Sequence, residues 1–199
     1  MHCPELDKRR DKFVIVAACD VLPERGTMMR DRYGCRAYTD FDALLNDPDV
    51  EPVSIATPTL LHVPQAAQAL QVGKHVFLEK PIALTMADAE TLREAATRSA
   101  GRLFFRHNRR FEPAFTHIRE IMASGVLGWV YEIKLRRNGY QRRRDWQTLL
   151  ACGGGQLNSW GRTSSITRCG CWNRRWPACG ATSNASPLPG MPKIISRSC

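Results

Sequence analysis

Short apolar runs alternate with segments of helical spacing in the first hundred residues, and this order constrains the fold more than any other feature of the chain. The apolar runs cover residues 13–20, 52–58 and 76–78. Runs this short, bounded by turn residues, predict strands that are buried on both faces. The helical spacing covers residues 23–33, 40–45, 64–72 and 86–99. The alternation predicts an α/β fold with a doubly wound parallel sheet and right-handed crossovers.

Residues at the boundaries of these segments agree with that prediction. Asp40 and Thr85 stand where a side-chain oxygen can cap the first turn of a helix. Gly34 and Gly73 stand where two of the helices are expected to end, because glycine accepts the left-handed conformation that closes many helices.

The net charge of +10 is unevenly distributed. Asp145 is the last acidic residue, and six lysines and arginines follow it. A basic cluster at residues 136–144 surrounds Tyr140 and could contact phosphates. Its other interpretation is an exposed loop after a strand, which we favour because no nucleic-acid-binding motif accompanies it. No nucleic-acid partner is therefore predicted.

The sequence also predicts neither a membrane span nor a metal site. No segment reaches about 18 consecutive apolar residues, and the basic, polar start lacks a signal-peptide core, so we expect a cytoplasmic protein. Cys169, Cys171 and Cys179 do not have the spacing of a zinc ribbon or finger, and no histidine follows His117.

Residues 76–81 bring a carboxylate, an amine and a proline to the end of an apolar run, as Glu79, Lys80 and Pro81. In open α/β sheets the chemistry occurs beyond the carboxyl ends of the strands. The three residues could therefore present a proton-transfer lysine. A solvated strand end is the alternative interpretation.

Five motifs along the chain together resemble the Gfo/Idh/MocA oxidoreductases, over about residues 1–161. In order, they are Asp20 after a strand, residues 54–59 followed by His62, residues 73–81, residues 107–111, and the glycines 153–155. The resemblance implies a partial NAD-binding Rossmann domain followed by the start of an α+β domain with an open antiparallel sheet. It also implies hydride transfer on a small polyol, sugar, cyclitol or related alcohol, in a family that is usually homo-oligomeric.

The resemblance assigns cofactor contacts to the first strand ends. Asp20 would accept hydrogen bonds from the adenosine ribose, and a carboxylate there repels a 2′-phosphate, so NAD is favoured over NADP. Thr57 and Pro58 would line the path of the cofactor, with His62 nearby. A merely structural hydrogen bond is the alternative role for His62.

The same resemblance assigns the chemistry to the loop after residues 76–78. Glu79 would contact the nicotinamide ribose. Lys80 would bind both cofactor and substrate and act as the catalytic residue that exchanges a proton with the reacting hydroxyl. The Lys80–Pro81 bond would be cis.

Further roles fall on the second part of the chain. Asn108 and Arg110 would lie near the nicotinamide, although the sequence does not separate Arg110 from Arg109. Residues 128–135 alternate as a half-buried strand, and Trp146 would lead into the substrate pocket.

Two departures from the family pattern shape the expected domains. No Gly-x-Gly-x-x-Gly turn precedes residue 20. We therefore expect residues 1–124 to form an incomplete Rossmann domain without the first strand and glycine turn, and residues 125–161 to begin the substrate domain. The sheet would then lack its central strand.

The second departure is the change of character after Gly161. Residues 162–199 contain no acids and no helical or strand period, and we expect them to be disordered. A one-base shift of the reading frame from Gly161 permits the string Pro-His-Ile-Ile-Asp-His-Ala-Val-Arg-Leu-Leu and restores the family's Gly-x-His. An out-of-frame tail is thus predicted.

From these features we expect an inactive fragment of an NAD-dependent oxidoreductase. One alternative is an intact enzyme that takes the missing strand from a partner chain. The other is a basic nucleic-acid or protein binding module with dehydrogenase remnants.

Overall fold

The computed structural model describes residues 2–136, 142–155 and 157–161. The chain divides into two compact units, one ending at Arg106 and the other beginning at His107. The predicted out-of-frame tail, residues 162–199, lies outside the described residues.

The first unit alternates helices with short strands, as the sequence predicts. Its helices are α1 (Cys3–Asp7), α2 (Pro23–Tyr33), α3 (Phe41–Leu45), α4 (His62–Gln71) and α5 (Met86–Arg98). Its strands are β1 (Ala17–Cys19), β2 (Arg36–Tyr38), β3 (Pro52–Ile55), β4 (His75–Leu78) and β5 (Leu103–Phe105). A three-ten turn, Thr59–Leu61, precedes α4.

The strands form two parallel sheets rather than one continuous sheet in the described part of the chain. β1 pairs with β2, and β4 lies between β3 and β5 in the second sheet. Both sheets are parallel, and helices connect consecutive strands. The architecture is therefore α/β of the Rossmann type, which confirms the predicted fold class.

Local sequence signals account for the helix ends. Asp40 accepts hydrogen bonds from the backbone N–H groups of Asp42 and Ala43 at the start of α3. Thr85 and Asp88 form a reciprocal capping box at α5. Gly34 closes α2 in the left-handed conformation with φ of 70°.

The apolar core lies between α4, α5 and one face of the three-stranded sheet. Leu70 of α4 and Leu92 of α5 belong to this core. Val76 and Leu78 of β4 complete it from the side of the sheet. Leu70, Val76 and Leu78 are fully buried. Burial of these side chains is the main favourable term for this unit.

A buried carboxylate fixes the loop that leads into β3. Arg36 of β2 donates two hydrogen bonds to Asp47, at 2.8 and 2.9 Å, and the Tyr38 hydroxyl donates a third at 3.0 Å. Burial raises the pKa of Asp47, but the Asp49 amide, Tyr38 and Arg36 outweigh it and hold that pKa below its usual range. The loop is thereby fixed to β2.

Three strand predictions need correction. β1 is shorter than residues 13–20, because only Ala17–Cys19 have ladder partners in β2. β3 and β4 are buried on alternate residues rather than on both faces, since helices cover one face and Phe77 on the other is 37% exposed. Residues 128–135 form no strand, because no described segment pairs with them.

The second unit contains one longer helix and several single turns. α6 (Pro113–Ala123) buries Phe115. Three-ten turns span Asn108–Phe111, Trp146–Thr148 and Leu150–Cys152, and a π-helical turn spans Leu157–Gly161. Within the described residues, no helix combines the length and apolar character needed to cross a bilayer.

Candidate functional site

Five predicted site residues of the first unit follow the carboxyl ends of its strands. Asp20 comes directly after β1, Thr57 and Pro58 follow β3, and Glu79 and Lys80 follow β4. The carboxyl ends of parallel strands are the edge at which α/β proteins bind ligands. These positions therefore define the candidate site.

Asp20 lies in a turn that orients its carboxylate. Its Oδ1 accepts a hydrogen bond from the Leu22 amide at 3.0 Å, and its Oδ2 accepts one from Arg25 Nη1 at 3.3 Å. About a third of the side chain remains exposed. The carboxylate is thus oriented and still accessible to a ligand hydroxyl.

Glu79 is the centre of a network that we call the strand-end cluster, formed by His2, Glu5, Ser54, Glu79 and Arg106. Its Oε1 accepts from His2 Nε2 at 2.8 Å and from Arg106 Nη1 at 2.7 Å. Its Oε2 accepts from the Lys80 amide at 3.0 Å. Both oxygens of the carboxylate are therefore engaged within the chain.

The other members attach α1 to the ends of the strands. Arg106 Nη2 donates to both carboxylate oxygens of Glu5 in α1, at 2.9 and 2.7 Å. His2 Nδ1 also contacts Ser54 Oγ in β3. The Arg106 side chain is only 9% exposed. Because a buried charge is costly unless it is paired, the carboxylates of Glu5 and Glu79 stabilise the guanidinium.

The environment of Glu79 favours its ionised form. Burial by itself raises the pKa of Glu79, but hydrogen bonds from His2, Arg106 and the Lys80 amide outweigh burial and lower that pKa to about 2. The carboxylate is therefore ionised at neutral pH.

Lys80 and Pro81 continue from this cluster. The Lys80–Pro81 peptide bond is cis, as predicted, and the Lys80 side chain is half-buried. Lys80 thus follows the ionised Glu79 at the end of a central strand of its sheet.

His62 is almost completely buried, at 2% exposure. Its Nδ1 lies 2.7 Å from the carbonyl oxygen of Pro81, and its Nε2 lies 2.9 Å from that of Thr57. The Thr57 hydroxyl donates to Gln65 Oε1 at 2.7 Å. The ring therefore links the loop after β3 to the loop after β4.

The remaining predicted site residues belong to the second unit. Asn108 and Arg110 are exposed in the turn Asn108–Phe111. Arg109, by contrast, pairs with Glu112 and lies 5.5 Å from the centre of the Trp160 ring. The structure therefore separates the two arginines, which the sequence did not.

Trp146 opens a three-ten turn of the second unit and is half-buried. Asp145 caps this turn by accepting a hydrogen bond from the Gln147 amide at 3.0 Å. Buried Gly154 follows, where a Cβ atom would collide with the Gln147 carbonyl. Close backbone packing therefore requires glycine at position 154.

Sequence reasoning missed His2, Glu5 and Arg106. Arg106 follows β5 as Glu79 follows β4, so the rule that adjacent parallel strands end at one edge could have paired them. Nothing in the pattern indicated His2 or Glu5, because they reach the cluster from a separate helix.

Comparison with known proteins identifies the family. The sequence model of an oxidoreductase family with an NAD-binding Rossmann fold, Gfo/Idh/MocA, matches residues 1–107. The chain belongs to the Gfo/Idh/MocA oxidoreductase family. This confirms the resemblance that the motifs predict.

Individual relatives agree with this assignment. The inositol 2-dehydrogenase of Salmonella paratyphi B is 35% identical over 117 residues, which cover 57% of this chain and 35% of that enzyme. An NAD-binding protein from Listeria innocua superposes with a TM-score of 0.78 and 29% identity, over 84% of this chain and 50% of its own. The chain thus spans about a third to a half of the length of these relatives.

A solved structure that is similar to this chain contains NADH. The WlbA dehydrogenase from Bordetella pertussis, in complex with NADH and UDP-GlcNAcA, is 26% identical with a TM-score of 0.61, over 65% of this chain and 38% of that one.

Two predictions about the chain as a whole stay predictions. They are that it is an inactive fragment and that its tail is out of frame.

Proposed function

We propose that this Gfo/Idh/MocA chain binds NAD at its strand ends and serves hydride transfer between NAD and a polyol or sugar-like alcohol. The observation that carries the proposal is the accessible carboxylate of Asp20 at the end of β1, in the same compact unit as Lys80 at the end of β4. The names of the Salmonella and Bordetella relatives support the substrate class.

The donors and acceptors present fit a dinucleotide. Asp20 offers two carboxylate oxygens to a ribose diol, and its negative charge disfavours a 2′-phosphate, so we propose NAD rather than NADP. Thr57 and Pro58 would flank the cofactor beyond β3. NAD, when bound, accepts or donates the hydride.

Lys80 is the proposed proton-transfer group. Oxidation of an alcohol releases the hydroxyl proton as the hydride leaves, and an amine at hydrogen-bond distance can accept that proton. Glu79 would contact the nicotinamide ribose only by sharing oxygens that already accept from His2, Arg106 and the Lys80 amide. We propose that Glu79 chiefly orients the backbone that carries Lys80.

The roles of the second-unit residues follow from the family resemblance. Exposed Asn108 and Arg110 are proposed to contact the nicotinamide end of the cofactor, and Trp146 to contact the substrate. His62 is proposed to support the cofactor loops by its two backbone contacts.

Calorimetric titration of the purified chain with NAD tests the proposal. Asp20→Arg should weaken NAD binding about tenfold or more, because it replaces an acceptor with a cation at the ribose position. Asp31→Arg is the matched control, since Asp31 is an exposed residue of α2 and undergoes the same charge change. We expect Asp31→Arg to bind NAD like the wild type.

Two further measurements, of NADH formation and of binding to duplex DNA, distinguish an oxidoreductase from a basic binding module. Lys80→Met should abolish any NADH formation from inositols and sugar acids that the wild-type chain supports, because it removes the group that accepts the hydroxyl proton. Equal NAD affinity in Asp20→Arg and wild type would contradict the cofactor site. Salt-sensitive binding to duplex DNA without any response to NAD would instead support the basic binding module.

A further inference from the structure

Ser54 lies on the face of the three-stranded sheet that is opposite to the apolar core. Along β3, Val53 and Ile55 are buried and Ser54 is exposed, because successive side chains of a strand point to opposite faces. The register pairs Ser54 with Phe77 of β4, and Phe77 in turn with Phe104 of β5. Side chains paired across neighbouring strands share a face. A serine hydroxyl therefore lies in one row with two aromatic rings that are partly exposed.

His2 reaches this row from the start of α1. Its Nδ1 contacts the Ser54 hydroxyl oxygen, and its ring meets the Phe77 ring edge-on, with the ring centres 5.8 Å apart. The His2 carbonyl accepts hydrogen bonds from the amides of Glu5 and Leu6, at 2.9 and 3.0 Å. The His2 side chain is only 9% exposed. The imidazole is therefore held against the serine by its own helix and by the sheet.

The carboxylate of Glu79 determines which nitrogen of His2 carries the proton. Glu79 is ionised and accepts a hydrogen bond from His2 Nε2 at 2.8 Å, so the proton of the neutral imidazole is on Nε2. His2 Nδ1 then carries a lone pair and accepts the hydrogen bond from the Ser54 hydroxyl. The serine proton thus points at a base.

Arg106 holds this carboxylate in place. Its Nη1 donates to the same Glu79 oxygen at 2.7 Å, and its Nη2 pairs with Glu5 of α1. A nucleophile that is hydrogen-bonded to a base, with the base oriented by a third group, is the arrangement that activates serine in hydrolases of unrelated fold. Here the serine meets Nδ1 and the carboxylate meets Nε2, and either ring nitrogen can serve as the base.

We propose that Ser54, His2 and Glu79 form an acyl-transfer site for activated aryl esters, a further activity that requires no NAD. Phe77 and Phe104 are 37% and 50% exposed and offer an apolar surface to the aryl group. Activated esters are the substrate class because their aryloxide leaving group is a weak base, so it departs readily once the serine attacks.

The reaction proceeds in two steps without oxidation or reduction. First, Ser54 Oγ bonds to the ester carbonyl carbon while its proton moves to His2 Nδ1. The bond between that carbon and the aryl oxygen breaks, and the aryloxide leaves with the electron pair and takes the proton from His2. Second, water gives a proton to His2 and bonds to the acyl carbon, and the carboxylic acid leaves as Ser54 Oγ regains the proton. Glu79 stays ionised and faces the imidazolium that forms in each step.

Hydrolysis of p-nitrophenyl acetate by the full chain without NAD tests the activity. We expect repeated turnover by the wild type and a rate lowered about tenfold or more in Ser54→Ala, because general-base activation of a nucleophile contributes about 10² to 10⁴-fold. Ser54→Ala removes an exposed hydroxyl, so the fold is retained. Ser124→Ala is the matched control and should hydrolyse the ester like the wild type, since the exposed Ser124 donates to the Ile121 carbonyl.

A fluorophosphonate probe identifies the nucleophile directly. Peptide mapping should place the phosphonyl group on Ser54, with fluoride as the leaving group, and His2→Gln should slow the labelling about tenfold or more because glutamine accepts no proton. Absence of turnover in the wild type, equal hydrolysis by Ser54→Ala and wild type, or labelling of another residue would overturn the acyl-transfer site. Equal labelling of His2→Gln and wild type would overturn the role of the histidine. No step uses NAD, so these results do not depend on the proposed cofactor site.

Discussion

Replacement of Glu79 by glutamine tests the energetics of the strand-end cluster. The substitution keeps the shape of the side chain but removes the charge that faces His2 and Arg106. The pKa of Glu79 is lowered from 4.5 to about 2. At about 1.4 kcal/mol per pKa unit, the ionised form is favoured by about 3 kcal/mol in the folded chain. We therefore expect Glu79→Gln to lose up to about 3 kcal/mol of unfolding free energy at pH 7.

The sign of the pH dependence follows from the direction of this shift. The folded-state pKa of Glu79 lies below its unfolded value, so on acidification the unfolded chain binds the proton first. The stability that Glu79 contributes is complete above about pH 5 and is lost as the pH falls toward 2. The difference in unfolding free energy between wild type and Glu79→Gln should narrow by about 2 kcal/mol between pH 7 and pH 3.

Urea denaturation measures this difference in unfolding free energy. Both proteins are unfolded at several pH values and followed by circular dichroism. Glu90→Gln is the matched control, because Glu90 pairs with Arg93 on the exposed face of α5 and such pairs contribute little. Equal stability of Glu79→Gln and wild type at pH 7 would refute the reasoning. A difference in unfolding free energy that stays constant down to pH 3 would show that the ionisation of Glu79 is not its source.

Three substitutions test the packing of the first unit by the same denaturation assay. Gly101→Ala should destabilise by about 2 kcal/mol, because its Cβ atom would collide with the Lys74 carbonyl; wild-type stability would show that this contact relaxes. Leu70→Ala should cost about 2 to 5 kcal/mol through the cavity that it leaves, and a loss below 1 kcal/mol would contradict full burial. Thr85→Ala should cost about 1 kcal/mol by removing the cap that Asp88 completes, with a matching decrease in helical ellipticity.

The order and type of elements in the first unit were predictable from sequence. Apolar runs, helical spacing and capping residues such as Thr85 act locally, so a single sequence carries them. The length of β1 and the absence of a strand at residues 128–135 were not predictable, because a strand exists only where a partner supplies a ladder.

The candidate site was likewise only partly predictable from the sequence. Asp20, Glu79 and Lys80 were predicted because strand ends are readable from the pattern and their order resembles one family. The cluster around Glu79 was not, because His2 and Arg106 meet it from distant positions in the chain. Nor did the sequence distinguish Arg109, which pairs with Glu112, from exposed Arg110.

By itself, the sequence determined the family, the α/β class and the residues that follow each strand, since these depend on local periodicity and on short ordered motifs. Only the tertiary structure decided the lowered pKa of Glu79 and the inward position of His62. The physical reason is that burial, electrostatic pairing and strand partnership are relations between residues far apart in the chain.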